Sequence, residues 1–298
     1  MKFAASVFIA ATFATSGQPT AILWEGQTLS TVADVRSHEW LLALKAKTVS
    51  GENTYCTAVL VTPNVALTAG HCVHEISSIE VMAASSETAE FATVASAVSW
   101  EAHPQTFGEE PTGDASRVAF SDFRETSAHL YIDLGVVALD RRLATTPVRL
   151  SPPKLDPLVT PLTSYVFGRQ RDEFYRSLPT FDVLRTEVVQ WIGSSRNILA
   201  KLPEGRWCVR DSGGPVTAEG TDEDGNRELQ LIGIGFVFFG RVLTGDLIEL
   251  REIWGDLSAV PPCGERMSYV HVGYNLNWIR DAMDRVSPGS AEELQISQ

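Results

Sequence analysis

The sequence predicts an all-β protein, built as a barrel or a sandwich, with one helix near its C-terminal end. Short runs of apolar and β-branched residues recur along the chain, and turn-forming residues separate them. A single segment with helical spacing begins at Leu276 and runs to about Asp284. Repeated short strands without helices between them are typical of barrels and sandwiches.

The predicted elements fall into two halves. Four prolines between Ser151 and Pro161 mark the crossing between them, and residues 101–129, which lack periodicity, are predicted as a long surface loop. The last residues, from Ser287, are expected to be disordered. The predicted strands are 40–44, 57–61, 65–67, 79–82, 92–94 and 130–139 in the first half, and 165–168, 186–191, 231–239 and 269–272 in the second.

Composition and charge narrow the class of protein. The 298 residues carry a formal net charge of −13, which argues against nucleic acid or an anionic membrane surface as a partner. Residues 1–21 have a positive charge, a short apolar core and then small residues, as in a secretory signal peptide with a short pro-segment. No later run approaches the ~18 apolar residues of a membrane span. We therefore expect a secreted, extracellular protein without a membrane-spanning segment.

One short stretch is unsuited to regular structure. Residues 211–215 have the sequence Asp-Ser-Gly-Gly-Pro, in which the glycines permit unusual backbone angles and the proline removes a hydrogen-bond donor. Such a sequence forms a tight loop that exposes the hydroxyl of Ser212. An ordinary surface turn is the simplest explanation of this stretch alone, but two further motifs precede it. His71 lies in Leu-Thr-Ala-Gly-His-Cys, and Asp133 lies in the apolar run 131–139.

These three side chains could work together chemically. A serine hydroxyl is a weak nucleophile, so Ser212 needs a base, and neutral His71 could accept its proton. Asp133, set among apolar neighbours, would be a buried carboxylate that needs a partner, which the N–H of His71 could supply. Other aspartates lack this apolar context: Asp114, Asp122 and Asp140. The other histidines are expected to be structural or surface residues: His74, His103, His129 and His271.

The order histidine, aspartate, serine resembles that of the chymotrypsin/trypsin-like serine proteases, over roughly Ile22 to Asp284. Subtilisin-like enzymes and α/β-hydrolases have other orders. The resemblance implies two antiparallel six-stranded β-barrels, at about 22–150 and 160–275, and a helix at about 275–285. It places His71 and Asp133 in the first barrel and Ser212 in the second, as a catalytic triad in a cleft. By family standards Arg241 to Val260 is an insertion.

Four cysteines permit three disulfide pairings. The resemblance supports Cys56 with Cys72 and, by remainder, Cys208 with Cys263. The chain has no Cys-x-x-Cys motif, and its histidines lack metal-ligand spacing, so we expect neither a metal nor a cofactor.

The resemblance also assigns the oxyanion hole, formed by the backbone N–H groups of Arg210 and Ser212. This chain departs from the family here, because the family nearly always has glycine where Arg210 stands. In the family the residue at Asp211 pairs with a new N-terminal ammonium after zymogen cleavage. Ile22 is the nearest candidate start, yet no basic residue precedes it. The partner of Asp211 therefore stays open.

The residues expected around the specificity pocket are unusual. Arg206 falls at the pocket base, where trypsin-like enzymes place an aspartate, and Met267 falls where a glycine usually keeps one wall open. Phe236 and Phe238 fall on the walls. A preference for Lys or Arg substrates is therefore not supported. A buried cation would favour acidic side chains, a filled pocket would admit only small ones, and Arg206 could equally turn outward to solvent.

Two functions follow from these expectations. The first is a monomeric, secreted serine endopeptidase that cleaves proteins or peptides through an acyl-enzyme intermediate and is open to protein inhibitors. The second is a catalytically weak or inactive homologue that acts as a protein-binding module, since Arg210 and Met267 depart from the family pattern. An α/β-hydrolase esterase is poorly supported, because Arg210 interrupts its Gly-x-Ser-x-Gly motif.

Overall fold

A computed structural model describes residues 26–28, 38–84, 91–106, 132–152, 162–168, 180–192, 197–201, 207–208, 211–221, 224–239, 263–264 and 266–297. Across these residues β-strands dominate, and one α-helix follows them near the C-terminal end. The predicted all-β class with a C-terminal helix is confirmed. The predicted signal peptide, residues 107–129 of the loop predicted at 101–129, and the insertion at 241–260 lie outside the described residues. The start of that loop is corrected, because Glu101 and Ala102 belong to a strand.

A closed six-stranded barrel forms the first half of the chain, after a short strand β1 (Gly26–Thr28). Its strands are β2 (Leu41–Thr48), β3 (Asn53–Thr62), β4 (Val65–Thr68), β5 (Ile76–Ala84), β6 (Phe91–Ala102) and β7 (Gly135–Leu139). They pair antiparallel in the order β2-β3-β4-β7-β6-β5, and β5 returns to β2. Closing a sheet into a barrel removes its exposed edges.

The second half contains the remaining strands: β8 (Arg149–Leu150), β9 (Leu162–Gly168), β10 (Thr180–Ile192), β11 (Asn197–Lys201), β12 (Trp207–Cys208), β13 (Pro215–Thr221), β14 (Arg227–Phe239), β15 (Cys263–Gly264) and β16 (Arg266–His271). Six of them pair antiparallel in a ring, β9-β10-β11-β16-β14-β13, in which β13 pairs with β9 again. This ring fits the expected second barrel. Strand β1 pairs with β10, and β8 pairs in parallel with β14.

Helix α1 (Leu276–Val286) covers the outside of the first barrel. Its buried residues Ile279, Ala282 and Met283 lie on one face, at the spacing of an amphipathic helix. Arg285 near its end donates two hydrogen bonds to the carboxylate of Glu101 on β6, at 2.8 and 2.7 Å. A cation in the last helical turn also interacts favourably with the helix dipole.

The barrel strands nearest the functional motifs are buried along their whole length. All residues of β4 and β7 are buried, because one face of each strand lines the barrel and the other is covered. Helix α1 packs against β7, and β14 of the second half approaches β4. Strands covered on both faces hold the segments that follow or precede them in fixed positions.

The segment after the helix is ordered, which corrects the disorder expected from Ser287 onward. Gly289 adopts a left-handed φ of +83°, and a 3-10 turn follows at Ser290–Glu293. Leu294 is buried, and Ile296 forms a parallel bridge to Leu150 on β8. Terminal segments are disordered unless something ties them down; here the apolar contact and the backbone bridge do so.

No helix among the described residues has the length and apolar character needed to cross a membrane.

Candidate active site

His71 lies at the end of a rigid strand. Strand β4 leads through Ala69 into a short 3-10 turn, Gly70–Cys72, which presents the imidazole. Cys72 forms a disulfide with Cys56 on β3, with a Cα–Cα distance of 6.2 Å. The predicted Cys56–Cys72 pair is therefore confirmed. It fastens the turn that carries His71 to the neighbouring strand.

Asp133 accepts two hydrogen bonds from the same histidine. The backbone N–H of His71 donates to Oδ1 at 2.8 Å, and ring Nδ1 lies 2.6 Å from Oδ2. Asp133 precedes β7 and does not lie inside it, which corrects the strand expected over 130–139. The two residues meet because Gly135, at the start of β7, pairs with Thr68, at the end of β4.

The pair is shielded from solvent and electrostatically coupled. The side chain of Asp133 is 10% exposed and that of His71 is 25% exposed. Burial lowers the pKa of the imidazole, but the negative charge of Asp133 and the hydrogen bond to it together outweigh this effect. The pKa of His71 therefore lies above its ordinary value of 6.5. Because Nδ1 faces the carboxylate, Nε2 is the ring atom left to exchange protons with another group.

The Ser212 loop is a tight turn that needs glycine. The N–H of Gly214 donates to the carbonyl of Asp211 at 2.9 Å, and Gly213 has a φ of +84°. A Cβ on Gly213 would collide with the carbonyl oxygen of Thr57 and with Thr68 Oγ1. Glycine is therefore required here both for the backbone angle and for the close approach of the first barrel.

Backbone hydrogen bonds fix this loop between the two halves of the chain. Thr57 on β3 donates its N–H to the carbonyl of Ser212 at 2.8 Å. On the other side, the N–H of Gly213 donates to the carbonyl of Gly235 at 2.6 Å, and the N–H of Gly235 donates to the carbonyl of Gly214 at 2.8 Å. The loop therefore has a fixed position relative to β3 and β14.

The Ser212 loop and the His71 ring each lie against one of two adjacent residues of β3. Thr57, which binds the Ser212 carbonyl, directly follows Cys56. A ring nitrogen of His71 lies within 4.8 Å of the sulfurs of Cys56 and Cys72. Thr57, which binds the Ser212 carbonyl, and Cys56, which lies near the His71 ring, are therefore adjacent residues of β3.

Asp211 lies inside the protein, next to this loop. Its residue surface is 1% exposed, and its carbonyl closes the turn with Gly214. The supporting role expected for the Asp211 side chain in ordering that loop stays a prediction.

Met267 packs against Gly235 of β14. It is fully buried on β16. A Cβ built on Gly235 would lie 2.5 Å from the Met267 methyl carbon and 3.1 Å from its sulfur. Gly235 is the residue whose backbone binds Gly213 and Gly214. The thioether of Met267 therefore fills the space beside Gly235.

The other residues expected at the pocket are less fully described. Arg206 and Arg210 lie outside the described residues. Phe236 and Phe238 lie on β14, where the register shifts between Gly235 and Val237, and Phe238 stands opposite Met267. Position 238 is therefore next to Met267 on the neighbouring strand.

The second expected disulfide has a compatible backbone. Strands β12 and β15 pair antiparallel, and Cys208 stands directly opposite Cys263. Opposed residues in antiparallel strands have Cα atoms about 4.5–5.5 Å apart, which a disulfide can span. The pair Cys208–Cys263 stays a prediction.

The remaining histidines differ in their surroundings. The side chain of His74 is largely exposed, and His129 lies outside the described residues. His103 and His271 are buried, and burial lowers the pKa of His271 to about 4. The one group of metal-ligating side chains in the described part of the chain is Cys56, His71 and Cys72, and its sulfurs are already joined to each other.

Comparison with known proteins identifies a family. The family model described as Trypsin matches residues 30–242, more than half of the chain. None of the curated proteins compared with the chain matches it.

Proposed function

Because this chain belongs to the trypsin family of serine proteases, we propose that it is a secreted endopeptidase that uses Ser212, His71 and Asp133. The observation that carries the proposal is the double hydrogen bond between His71 and Asp133, next to a loop that holds Ser212 against β3. Family membership implies proteins or peptides as substrates.

In the proposed reaction, Ser212 Oγ attacks the carbonyl carbon of the scissile bond, and its proton passes to His71 Nε2. Asp133 holds Nδ1 and stabilises the imidazolium that forms. The carbon–nitrogen bond then breaks, and His71 returns the proton to the leaving amine. Water, activated by the same histidine, next attacks the ester carbonyl and releases the acid product and free Ser212.

The developing oxyanion needs donors that are already in place. We propose the backbone N–H groups of Ser212 and Arg210 for this role. The support for Ser212 is the rigidity of its loop, which is fastened by Thr57 on one side and Gly235 on the other. The carbonyl of Asp211, which accepts a hydrogen bond from the N–H of Gly214, adds to this rigidity.

We further propose that the enzyme prefers small side chains at the residue before the scissile bond. The support is Met267, which is fully buried and fills the space beside Gly235, the residue that binds Gly213 and Gly214 of the Ser212 loop. A pocket that is already filled by a thioether leaves little room for a large substrate side chain.

A peptide library tests the proposal. The mature wild-type chain should cleave peptides, with small residues enriched before the cut, and Ser212→Ala should remove all cleavage. Ser50→Ala is the matched control, since Ser50 is an exposed hairpin residue. Cleavage that survives Ser212→Ala contradicts the assignment. If the wild type cleaves no peptide but binds a protein partner as tightly as Ser212→Ala does, the chain is a binding module.

A further inference from the structure

Thr106, in the segment that follows β6, is buried although it is polar. Its residue surface is 6% exposed. Its hydroxyl donates to the carbonyl oxygen of Ile132 at 3.2 Å, and its N–H donates to the carbonyl of His103 at 2.8 Å. Ile132 directly precedes Asp133, so the Thr106 hydroxyl binds the carbonyl oxygen of the peptide bond between Ile132 and Asp133.

The same side chain also fills the space beside Gly70. A Cβ on Gly70 would collide with Thr106 Oγ1 and would lie 2.7 Å from Thr106 Cγ2 and 2.9 Å from the Leu134 carbonyl oxygen. Gly70 directly precedes His71. The small size of residue 70 and the presence of a threonine at 106 are therefore complementary.

Two backbone hydrogen bonds join the segment 103–106 to both sides of Asp133. The N–H of His103 donates to the carbonyl of Leu134 at 2.8 Å, and the N–H of Ile132 donates to the carbonyl of Gln105 at 3.1 Å. The segment is itself anchored, because the His103 ring lies 4.7 Å from the Trp278 ring of α1, centroid to centroid. The segment 103–106, which contains Thr106, is therefore held in a fixed position.

We infer that Thr106 is a positioning residue for the His71–Asp133 pair, which it contacts through Gly70 on one side and Ile132 on the other. It touches neither substrate nor the reacting atoms. Its hydroxyl fixes the peptide before Asp133, and its methyl group fixes the turn before His71. The effect on catalysis rests on the proposed protease function, whereas the effect on the geometry of the pair does not.

Variants at position 106 separate the two contacts. Thr106→Val keeps the shape but removes the hydroxyl, and Thr106→Ser keeps the hydroxyl but removes the methyl group. We expect Thr106→Val to lower kcat about tenfold with KM within about twofold of wild type, since small misplacements of catalytic groups are costly. We expect Thr106→Ser to recover most of kcat. Thr93→Val, at an exposed threonine on β6, is the matched control and should be unchanged.

Gly70→Ala tests the contact with the histidine turn. Alone it should lower kcat by clearly more than Thr106→Val does. Combined with Thr106→Ala it should recover part of that loss, because two of the three atoms nearest the added methyl group, Thr106 Oγ1 and Cγ2, are then removed. Recovery in the double variant requires that the two positions act on each other.

Nuclear magnetic resonance of the full chain with labelled histidine rings provides a readout that does not depend on hydrolysis. In Thr106→Val the proton shared by His71 Nδ1 and Asp133 should move upfield, and the pKa of His71 should fall toward its ordinary value. If the wild type proves not to hydrolyse peptides, these two signals still decide the inference. The inference is overturned if Thr106→Val shows wild-type histidine signals, or if it lowers only Tm.

Discussion

The backbone N–H of Thr57 donates a 2.8 Å hydrogen bond to the carbonyl oxygen of Ser212. Thr57 belongs to β3 of the closed barrel, and Ser212 belongs to the loop before β13 in the second half. Thr68, also in the first barrel, donates its hydroxyl to the carbonyl of Thr57 at 2.7 Å. The proposed nucleophile is thus held by the same barrel that carries the proposed base.

Gly213→Ala should break this contact. The added Cβ would collide with the Thr57 carbonyl and Thr68 Oγ1, in addition to the cost of about 1–2 kcal/mol for a left-handed residue other than glycine. We expect peptide cleavage to fall by about a hundredfold or more. Gly225→Ala is the matched control, since Gly225 has a φ of +80° and nothing lies within 4 Å of its added Cβ. Equal losses of activity in the two variants would contradict the account.

Met267→Ala should widen the substrate preference. Removing the thioether empties the space beside Gly235, so peptides with larger side chains before the scissile bond should be cleaved faster, as a peptide-library profile would show. The free energy of unfolding should fall by about 2–5 kcal/mol, as for other buried methionines. Met283→Ala, at a fully buried methionine of helix α1, controls for general destabilisation. An unchanged cleavage profile would show that Met267 does not border the pocket.

His271 should make the protein sensitive to mild acid. Its folded pKa of about 4 lies below its ordinary value of 6.5 because the neutral ring is buried. Below pH 6.5 the unfolded state takes up a proton that the folded state refuses, so stability falls as the pH drops from 6.5 to about 4. The shift corresponds to a loss on the order of 3 kcal/mol.

Urea unfolding of the wild type and His271→Asn at several pH values measures this contribution. The difference in the free energy of unfolding between wild type and His271→Asn should change between pH 6.5 and about 4 and should be constant above pH 6.5. His74→Asn, at a largely exposed histidine, should follow the wild type. Parallel pH profiles for wild type and His271→Asn would contradict the assignment.

The C-terminal segment should contribute to the stability of the fold. Leu294 is buried, and the carbonyl of Gln295 accepts a hydrogen bond from the N–H of Leu150 at 3.0 Å. We expect Leu294→Ala to lower the free energy of unfolding by about 2 kcal/mol, measured by chemical denaturation. Glu292→Ala, at an exposed position of the same segment, should change it by less than about 0.5 kcal/mol. A Leu294→Ala variant as stable as wild type would mean that the segment is not docked in solution.

The sequence is sufficient to predict those parts of the site that depend on the chemical type of a residue. A buried aspartate needs a donor and a nucleophilic serine needs a base, so His71 and Asp133 could be paired before any contact was known. Alternating apolar runs likewise located most strands of the first barrel. The C-terminal segment could not be predicted, because its order depends on a tertiary bridge to Leu150 and on burial of one leucine.

Other features of the site could not be predicted from the sequence, because they depend on contacts between residues far apart in the chain. Thr57, Thr68 and Thr106 are ordinary polar residues until the fold places their hydrogen bonds. The fit between Gly70 and Thr106 joins residues that are 36 positions apart, and either residue alone is unremarkable. Such a pair can be identified only from the folded structure, in which the two residues are in contact.

Labelling by a sulfonyl fluoride, followed by mass spectrometry across a range of pH, tests the central claim most directly. We predict modification of Ser212, at a rate that rises with pH as His71 loses its proton. Because the pKa of His71 is raised, the midpoint should lie above 6.5, and Asp133→Asn should slow the reaction and lower the midpoint. Label on a residue other than Ser212, or a rate at Ser212 that does not change with pH, would contradict the account.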